Sequence, residues 1–364
     1  MKQFSEVLRS SLLGWLRRRS HRLLGVDLGG SAVKVAEIVF QRGMPSLNRF
    51  DIAALSSYSL DSQGMVDREM VSEALRQAVA RSGAACREAV VALSGRQVSV
   101  RELSFPPMTR EELKEAIKWD LENYVPYPPE NCYYDFTVLG ARAEEEETRV
   151  LLVAAMKETV DETVGIVKDA GLIPVAVDIE PLALCRTVPD GENSLIIDLG
   201  GLFSQIIVFQ NGVPVINRSI NIGGNRFTEV LMQTLDLEFS EAERLKQRQQ
   251  GLLQPVAGEG EDSAVHRQLQ LLVQELGRET RRTMEYYQVQ YKNASVDRVI
   301  LSGGAAQLGN LASQMALQID DTPVITHQPF QNLNLNPSFA PEQVRESANQ
   351  LAVAVGLALY GGEL

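Results

Sequence analysis

The chain is 364 residues long, with 45% hydrophobic, 23% charged and 6% aromatic residues, which are the proportions of a folded globular protein and exclude a disordered or collagen-like one. Its 35 basic residues stand against 47 acidic ones, a formal net charge of −12 that argues against clamping a phosphate backbone along an extended basic surface, so no nucleic-acid partner is expected. Single cores stop growing at about 250 to 300 residues, so a chain of this length is expected to form at least two lobes.

Residues 1–22 depart from the acidic average, carrying Lys2, Arg9, Arg17, Arg18, Arg19 and Arg22 against Glu6 alone. Phe4, Val7, Leu8, Leu12, Trp15 and Leu16 recur at helical spacing, the pattern of a basic amphipathic helix able to make peripheral contact with an anionic membrane. A solvated, frayed leader is the other reading. The apolar patch 12–16 runs into arginines where a signal peptide would need small residues. The longest apolar stretches, 150–156 and 351–360, fall far short of the roughly 20 residues of a spanning helix. A cytoplasmic location is therefore expected.

From Leu23 onward, strands and helices alternate. Residues 23–28 and 32–40 are predicted strands joined by Gly29 and Gly30, and 89–93 and 98–103 are further short strands. Thr109 and Glu112 form a capping box at the head of a helix expected to run to about Val125, where Pro126, Pro128 and Pro129 stop it. Strands at 133–139 and 149–156 flank a charged turn at 144–147, and a helix over 158–170 ends at Gly171, which suits a left-handed cap. In the second half, 195–199, 205–209 and 213–220 read as strands, the last two turned by Asn211-Gly212. Helices are predicted at 225–235 and, behind a capping box of Ser240 and Glu243, at 241–250. A Gly-rich polar loop at 251–262 precedes a long helix over 264–292, a strand at 298–301 and a closing helix over 343–360.

Cys86, Cys132 and Cys185 lack CxxC spacing and His21, His266 and His327 are scattered, so neither a zinc site nor a disulfide framework is written here. The informative feature is an internal echo: Leu24-Gly25-Val26-Asp27-Leu28-Gly29-Gly30 returns as Leu195-Ile196-Ile197-Asp198-Leu199-Gly200-Gly201. Each copy is strand, acid, glycine turn, strand. Glycines let a tight hairpin bring backbone N–H groups against phosphate oxygens, and an aspartate just before the turn can hold Mg²⁺ directly or through water. One Asp-x-Gly-Gly alone is ordinary hairpin chemistry. Two facing copies, with further glycine pairs at Gly223-Gly224 and Gly303-Gly304, point to a nucleotide cleft. Neither a Walker loop nor GxGxxG is present, so the fold is expected to be neither P-loop nor Rossmann.

Asp27 to Lys34 (DLGGSAVK), Asp198 to Gly201 (DLGG) and Ser302 to Gly304 (SGG) resemble the phosphate and adenosine motifs of the superfamily of actin, the heat-shock chaperones and the sugar kinases. Within it, IKWDLENYVPYP at 117–128, IGGNRF at 222–227 and EAERLK at 241–246 resemble the PilM family of type IV pilus assembly proteins, relatives of the division protein FtsA. The resemblance implies an α/β actin-like ATPase fold: two lobes around a nucleotide cleft, with an inserted α/β subdomain of FtsA/PilM type. It implies a first lobe over 23–95 and 172–192, the inserted, partner-binding subdomain over 96–171, a second lobe over 193–325 with a helical part at 240–292, and a segment 326–364 that closes on the first lobe.

By the same resemblance, Asp27, Gly29, Gly30, Ser31 and Lys34 form the first phosphate loop and Asp198, Gly200 and Gly201 the second, with Asp27 and Asp198 as Mg²⁺ ligands. Gly223, Gly224 and Asn225 belong to the same nucleotide-binding set. Gly303 and Gly304 lie under the adenosine of ATP, and Glu243 and Lys246 reach the ribose or base. Ser240 and Glu243 are also explained as a capping box. Glu180 holds the place of a water-activating residue, although a carboxylate before a Pro-initiated helix is equally favoured by the helix dipole. The second loop reads Leu202-Phe203 where a small polar residue usually follows the glycines. Leu113, Ile117, Leu121 and Tyr124 share one helical stripe, whereas Trp119 lies off it and is the candidate for partner docking.

The implied role is an ATP-binding cytoplasmic scaffold of a type IV pilus machine, reaching the inner membrane through the cytoplasmic N-terminal peptide of a PilN-like protein and meeting other assembly components. An active ATPase or small-molecule kinase of the superfamily is the rival reading, and an equivalent scaffold in type II secretion or cell division is a further one. A division role of FtsA type calls for a C-terminal amphipathic membrane helix, whereas this chain carries an apolar helix before Gly361-Gly362-Glu363-Leu364.

Overall fold

The computed structural model describes residues 22–41, 43–55, 67–142, 147–189, 191–248, 253–254, 261–292, 294–319 and 322–362. The basic amphipathic pattern at 1–21 and most of the loop at 251–262 lie outside the described residues.

The first lobe opens with an antiparallel meander of β1 (Arg22–Leu28), β2 (Ala32–Gln41) and β3 (Met44–Ala54). Helix α1 (Arg68–Ser82) follows; the Asp67 side chain caps its amide end by accepting from the Met70 N–H, and Gly83 ends it in the left-handed region at φ 67°. Strand β4 (Glu88–Leu93) then joins β1 in parallel. The inserted unit comprises β5 (Val98–Phe105), α2 (Arg110–Trp119), a helical turn Leu121–Tyr124, β6 (Cys132–Arg142) and β7 (Glu147–Met156), with sheet order β5-β7-β6. Helix α3 (Lys157–Asp169), β8 (Ile173–Ile179) and α4 (Glu180–Cys185) return the chain to the first lobe.

The second lobe repeats the plan. Strands β9 (Ser194–Leu199), β10 (Ser204–Gln210) and β11 (Val213–Ile220) form the meander, with Asn211 and Gly212 at φ 51° and 75° turning the hairpin. Helices α5 (Gly224–Leu235), α6 (Phe239–Arg248) and α7 (Glu261–Gln290) follow, and then β12 (Arg298–Ser302), α8 (Leu311–Ala316) and β13 (Val324–Thr326). Strand β14 (Asn334–Leu335) crosses back to β3, and α9 (Pro341–Ser347) and α10 (Ala352–Leu359) close the described chain.

The first sheet runs β14-β3-β2-β1-β4-β8 and the second β11-β10-β9-β12-β13. Each is a hairpin-linked meander extended by two parallel strands from its first member. The echo in sequence is thus an echo in topology, and it places both Asp-Leu-Gly-Gly turns at equivalent first hairpins. Helix α10 is apolar all round and buried, packing on both Leu23 of β1 and Ile196 of β9 through one shared core. It approaches so closely that a Cβ on Gly25 would stand 1.8 Å from the Ala354 carbonyl oxygen, and one on Gly356 1.9 Å from that of Ala183.

Three expected helices differ. The helix capped by Thr109 stops at Trp119, because Asp120 leaves helical geometry at φ −114°, ψ 14° and its side chain binds that of Asn123 instead. The closing helix is two helices, α9 and α10, separated by a 3₁₀ turn over Asn349–Leu351; α9 lies exposed while α10 is core, and the bend lets each meet its own surroundings. Helix α6 begins at Phe239, so Ser240 is inside it rather than its cap.

Candidate nucleotide-binding cleft

Within the first hairpin, Asp27 and Lys34 face each other across β1 and β2 in register, and the Lys34 ammonium binds the Asp27 carboxylate at 2.9 Å. Burial alone would lower the Lys34 pKa, but Asp27, then Asp198 and Glu180, hold it above its ordinary value. A Cβ on Gly29 would stand 2.6 Å from the Lys34 Nζ and 3.0 Å from the Ala32 carbonyl oxygen, so any larger residue there would push the ammonium away from Asp27. Across the cleft, a Cβ on Gly201 would lie 2.6 Å from the Ser31 hydroxyl, and one on Gly30 2.8 Å from Leu202. The two glycine loops therefore meet tip to tip.

Asp198 ends β9 opposite Gln205 of β10. Burial pushes its carboxyl up to about 6, with Lys34 pulling down and Asp27 pushing up. Glu180 is the first residue of α4, beside Pro181, as a helix-starting carboxylate should be. Its carboxyl accepts the Gly95 N–H at 3.1 Å and a hydrogen bond from the Gln205 side-chain amide. Burial, then the charges of Asp27 and Asp198, push it up to about 8 despite those two bonds. Three carboxyl groups and one ammonium thus converge where the loops meet.

Gly223 and Gly224 pin the second loop from behind. The Gly224 and Asn225 amides donate to the carbonyls of Gly200 and Gly201, each at 2.8 Å, and a Cβ on Gly223 would collide with Gly201 and Leu202 backbone at 2.5 Å. Lys246 of α6 donates to the Gly224 carbonyl at 3.0 Å and to Thr228 at 2.9 Å, and it pairs with Glu243 at 2.6 Å. Burial works to raise the Glu243 pKa, but Lys246, Thr228 and Gln247 hold it below its ordinary value. Both residues predicted for the ribose therefore sit together beside the Gly224 turn, engaged with each other. Gly303, at φ 84°, turns tightly against the second loop, with a Cβ position 2.7 Å from the Asp198 carboxylate; Gly304 then starts a 3₁₀ turn.

The predicted residues Asp27 to Lys34, Asp198 to Gly201, Gly223 to Asn225 and Gly303-Gly304 thus lie on these hairpins and turns, with Glu180 reaching them from the head of α4 and Glu243 and Lys246 from α6. Trp119 stands apart on α2 of the inserted unit, 85% exposed. Sequence reasoning missed Gln205, Gly95 and His327. The buried His327 ring contacts the Ser302 hydroxyl at 2.9 Å and the Thr187 carbonyl at 3.1 Å, tying the strand before Gly303 to the first lobe; burial lowers its pKa to about 4. Only its position after the strand 324–326 could have flagged it.

Two duplicated sheets, joined by a shared buried helix and opening on opposed Asp-x-Gly-Gly hairpins, define an actin-like ATPase fold. The chain belongs to the family of the type IV pilus assembly protein PilM, whose family model matches residues 25–361. A chain of the solved PilM–PilN type IV pilus biogenesis complex is 26% identical and superposes with a TM-score of 0.80 over 95% of this chain and 100% of that one. The cell division protein FtsA of Bacillus subtilis is 26% identical over 256 residues, 62% of this chain and 57% of that protein, so the match spans less than two thirds of that relative's length. An MreB of Spiroplasma citri solved with AMPPNP shares the fold at 15% identity, with a TM-score of 0.50 over 94% of this chain and 96% of that one. Nucleotide is thus bound within this fold in a structural neighbour. Among the described residues no helix is long and apolar enough to cross a membrane.

Proposed function

We propose that the chain binds ATP with Mg²⁺ between its lobes and serves as the cytoplasmic scaffold of a type IV pilus inner-membrane complex, docking the N-terminal cytoplasmic peptide of a PilN-like membrane protein. The observation that carries the nucleotide part is the convergence of Asp27, Asp198, Glu180 and Lys34 on two glycine loops that meet across the cleft. With one ammonium to three carboxyls such a site is short of positive charge, and its turns offer backbone to phosphates, which fits a phosphate ligand that brings a cation. Among the described residues no cluster of three or more His, Cys, Asp or Glu side chains is placed to hold a metal alone. Asp27 and Asp198 would therefore hold Mg²⁺ jointly with phosphate oxygens and water. Gly303 and Gly304 would take the adenosine, with Glu243 and Lys246 beside it. When bound, ATP would be held by the backbone of the Gly29-Gly30 and Gly200-Gly201 turns, and its occupancy would bias lobe closure.

For the partner, support comes from the solved complex of the PilM relative and from a pocket at the seam between lobe and insert. That pocket, a narrow one of about 40 Å³, has walls of Leu93, Val177 and Leu182 from the lobe and Phe136, Thr137 and Leu151 from the insert. Its apolar walls suit one small apolar side chain of a peptide that lies along the seam between the two units. Trp119, exposed on the same insert, is a second contact for that partner. Membrane association follows through the partner.

Hydrolysis is the rival activity, and one observation favours a slow form of it: Glu180 is a carboxyl in the cleft held near pH 8, ready to take a proton only when ionised. The test is titration of the full chain with ATP and Mg²⁺, with and without a peptide copying a PilN-like N-terminus, following binding and phosphate release together. Tight binding of both with negligible release supports the scaffold. Rapid release independent of peptide turns the reading to an enzyme, and absence of ATP binding reduces the glycine hairpins to a structural role.

A further inference from the structure

Leu202 and Phe203 stand in the second loop where a polar residue is expected, and the structure gives each a task. Leu202 packs against Gly30 of the opposite loop. The Phe203 ring lies under the Arg96 guanidinium, 5.1 Å from its centroid. Gln205, next but one along and 2% exposed, grips Glu180, while the Gly95 amide takes hold of the same carboxyl oxygen. The fit around Gly95 is so close that a Cβ there would stand 1.8 Å from the Gln205 amide oxygen and 3.0 Å from Asn217. Gly95 and Arg96 are the residues that lead from β4 into β5, the first strand of the inserted unit.

We infer that residues 202–205 are the coupling element by which phosphate occupancy of the second loop is passed to the inserted, partner-docking unit. The inference rests on the nucleotide-scaffold reading above and adds the residues that transmit it. Phe203 and Gln205 are linked by a few peptide bonds to Gly200 and Gly201, so a phosphate that draws in those amides shifts both side chains. Both meet the insert at its root, where a small rotation moves the whole three-stranded sheet. The insert also lies against the second lobe elsewhere: β5 neighbours β11, whose Val215 carbonyl accepts from the Tyr291 hydroxyl at 3.3 Å. The insert therefore touches both lobes and is deformed when they move relative to each other. Linkage makes the effect reciprocal, so partner docking alters nucleotide affinity by the same factor.

The experiment is hydrogen exchange on the full chain with and without ATP and Mg²⁺, read over residues 94–105, for the native protein and for Phe203→Ser, Arg96→Ala and the double variant. Nucleotide affinity is titrated on the same samples. The expected result is a protection change of about fivefold or more in the native chain on adding ATP, lost in either single variant, with no further loss in the double. In Arg96→Ala ATP affinity stays within about twofold, since Arg96 lies outside the phosphate loops. Should Phe203→Ser fail to fold, the exposed Arg96→Ala carries the test alone. Bound ATP with unchanged exchange at 94–105 in the native chain, or a response that survives both substitutions, overturns the coupling while leaving the nucleotide site standing. No ATP binding at all overturns the nucleotide site first, and the coupling with it.

Discussion

Gln205, on β10 of the second lobe, donates its side-chain amide to the carboxyl of Glu180 at the head of α4 in the first. This bond crosses the cleft between the two Asp-Leu-Gly-Gly turns, and its acceptor is an acid whose affinity for a proton is raised to about pH 8. The pair ties together lobe position and protonation, so one group reports on both.

The proton sets a first prediction. Glu180 keeps its proton up to about pH 8 in the fold but only to its ordinary 4.5 when unfolded. Between those values the native state holds the extra proton, and this residue's contribution to stability falls as pH rises. In Glu180→Gln the side-chain carbonyl still accepts from Gly95 and Gln205, while the amide turns toward Asp27 and Asp198. The nucleotide-free variant should melt higher than the native protein at pH 8.5, on the order of 2 °C, with the gap closing by pH 4.5. Thermal scans at both pH values check it; an equal offset at each would remove protonation from the account.

Lys34 carries the only ammonium among the three cleft carboxyls described here. Replacing it by Met leaves Asp27, whose side chain is 7% exposed, without its ion-pair partner. Breaking a buried pair from one side costs about 3 to 5 kcal/mol. Lys34→Met should therefore lower the urea midpoint strongly and weaken ATP binding at least about tenfold. Partial rescue of stability by Mg²⁺ alone would show that a cation takes the place of the ammonium. Native-like stability would mean that Asp27 is satisfied by other groups.

How much of this was readable in the sequence depends on range. Asp27, Gly29, Gly30, Asp198 and Gly200 stand in compact runs whose chemistry is local, and Asn211-Gly212 names its own turn. Strand β3 escapes because its buried residues Leu47, Phe50 and Ala53 recur every third position, against the period of two expected of a strand. The roles of Gln205 and Gly95 arise only when residues far apart in the chain meet at Glu180. Ser240 and Glu243 show the opposite error: the capping-box spacing is present, yet Glu243 binds Thr228 and Lys246, and the helix starts two residues earlier, at Phe239.

His327 gives a pH dependence of the other sign. Its pKa is lowered from 6.5 to about 4 by burial, although its bond to the Thr187 carbonyl works to raise it. The unfolded chain therefore binds a proton through that window and the fold does not, so its stabilising contribution is complete above pH 6.5 and fades toward pH 4. Protonation also reverses the contact with Ser302, whose hydroxyl then accepts from the ring, one residue before Gly303. His327→Asn should flatten the acid limb of the stability profile between pH 6.5 and 4, at a cost of about 1 to 3 kcal/mol at neutral pH from the lost bonds. Urea unfolding across that range measures it, and an unchanged slope would assign the acid limb to other groups.

Partner docking offers two surfaces on the inserted unit, and they can be told apart. Thr137 lines the seam pocket from β6 and is exposed, so Thr137→Trp places a bulky ring over the mouth of the pocket without displacing a core residue. Trp119 sits exposed on α2, off the stripe formed by the buried Leu113 and Ile117, and Trp119→Ala removes it without cost to that core. If the seam holds the peptide, Thr137→Trp weakens binding of a PilN-like N-terminal peptide by at least about tenfold, or 1.4 kcal/mol, while ATP binding is retained and Trp119→Ala has a small effect. Fluorescence titration of a labelled peptide against the three proteins decides. Loss on Trp119→Ala with full binding by Thr137→Trp would move the dock to the outer face of α2, where coupling to Gly95 and Arg96 would have to pass through the whole insert rather than through its root.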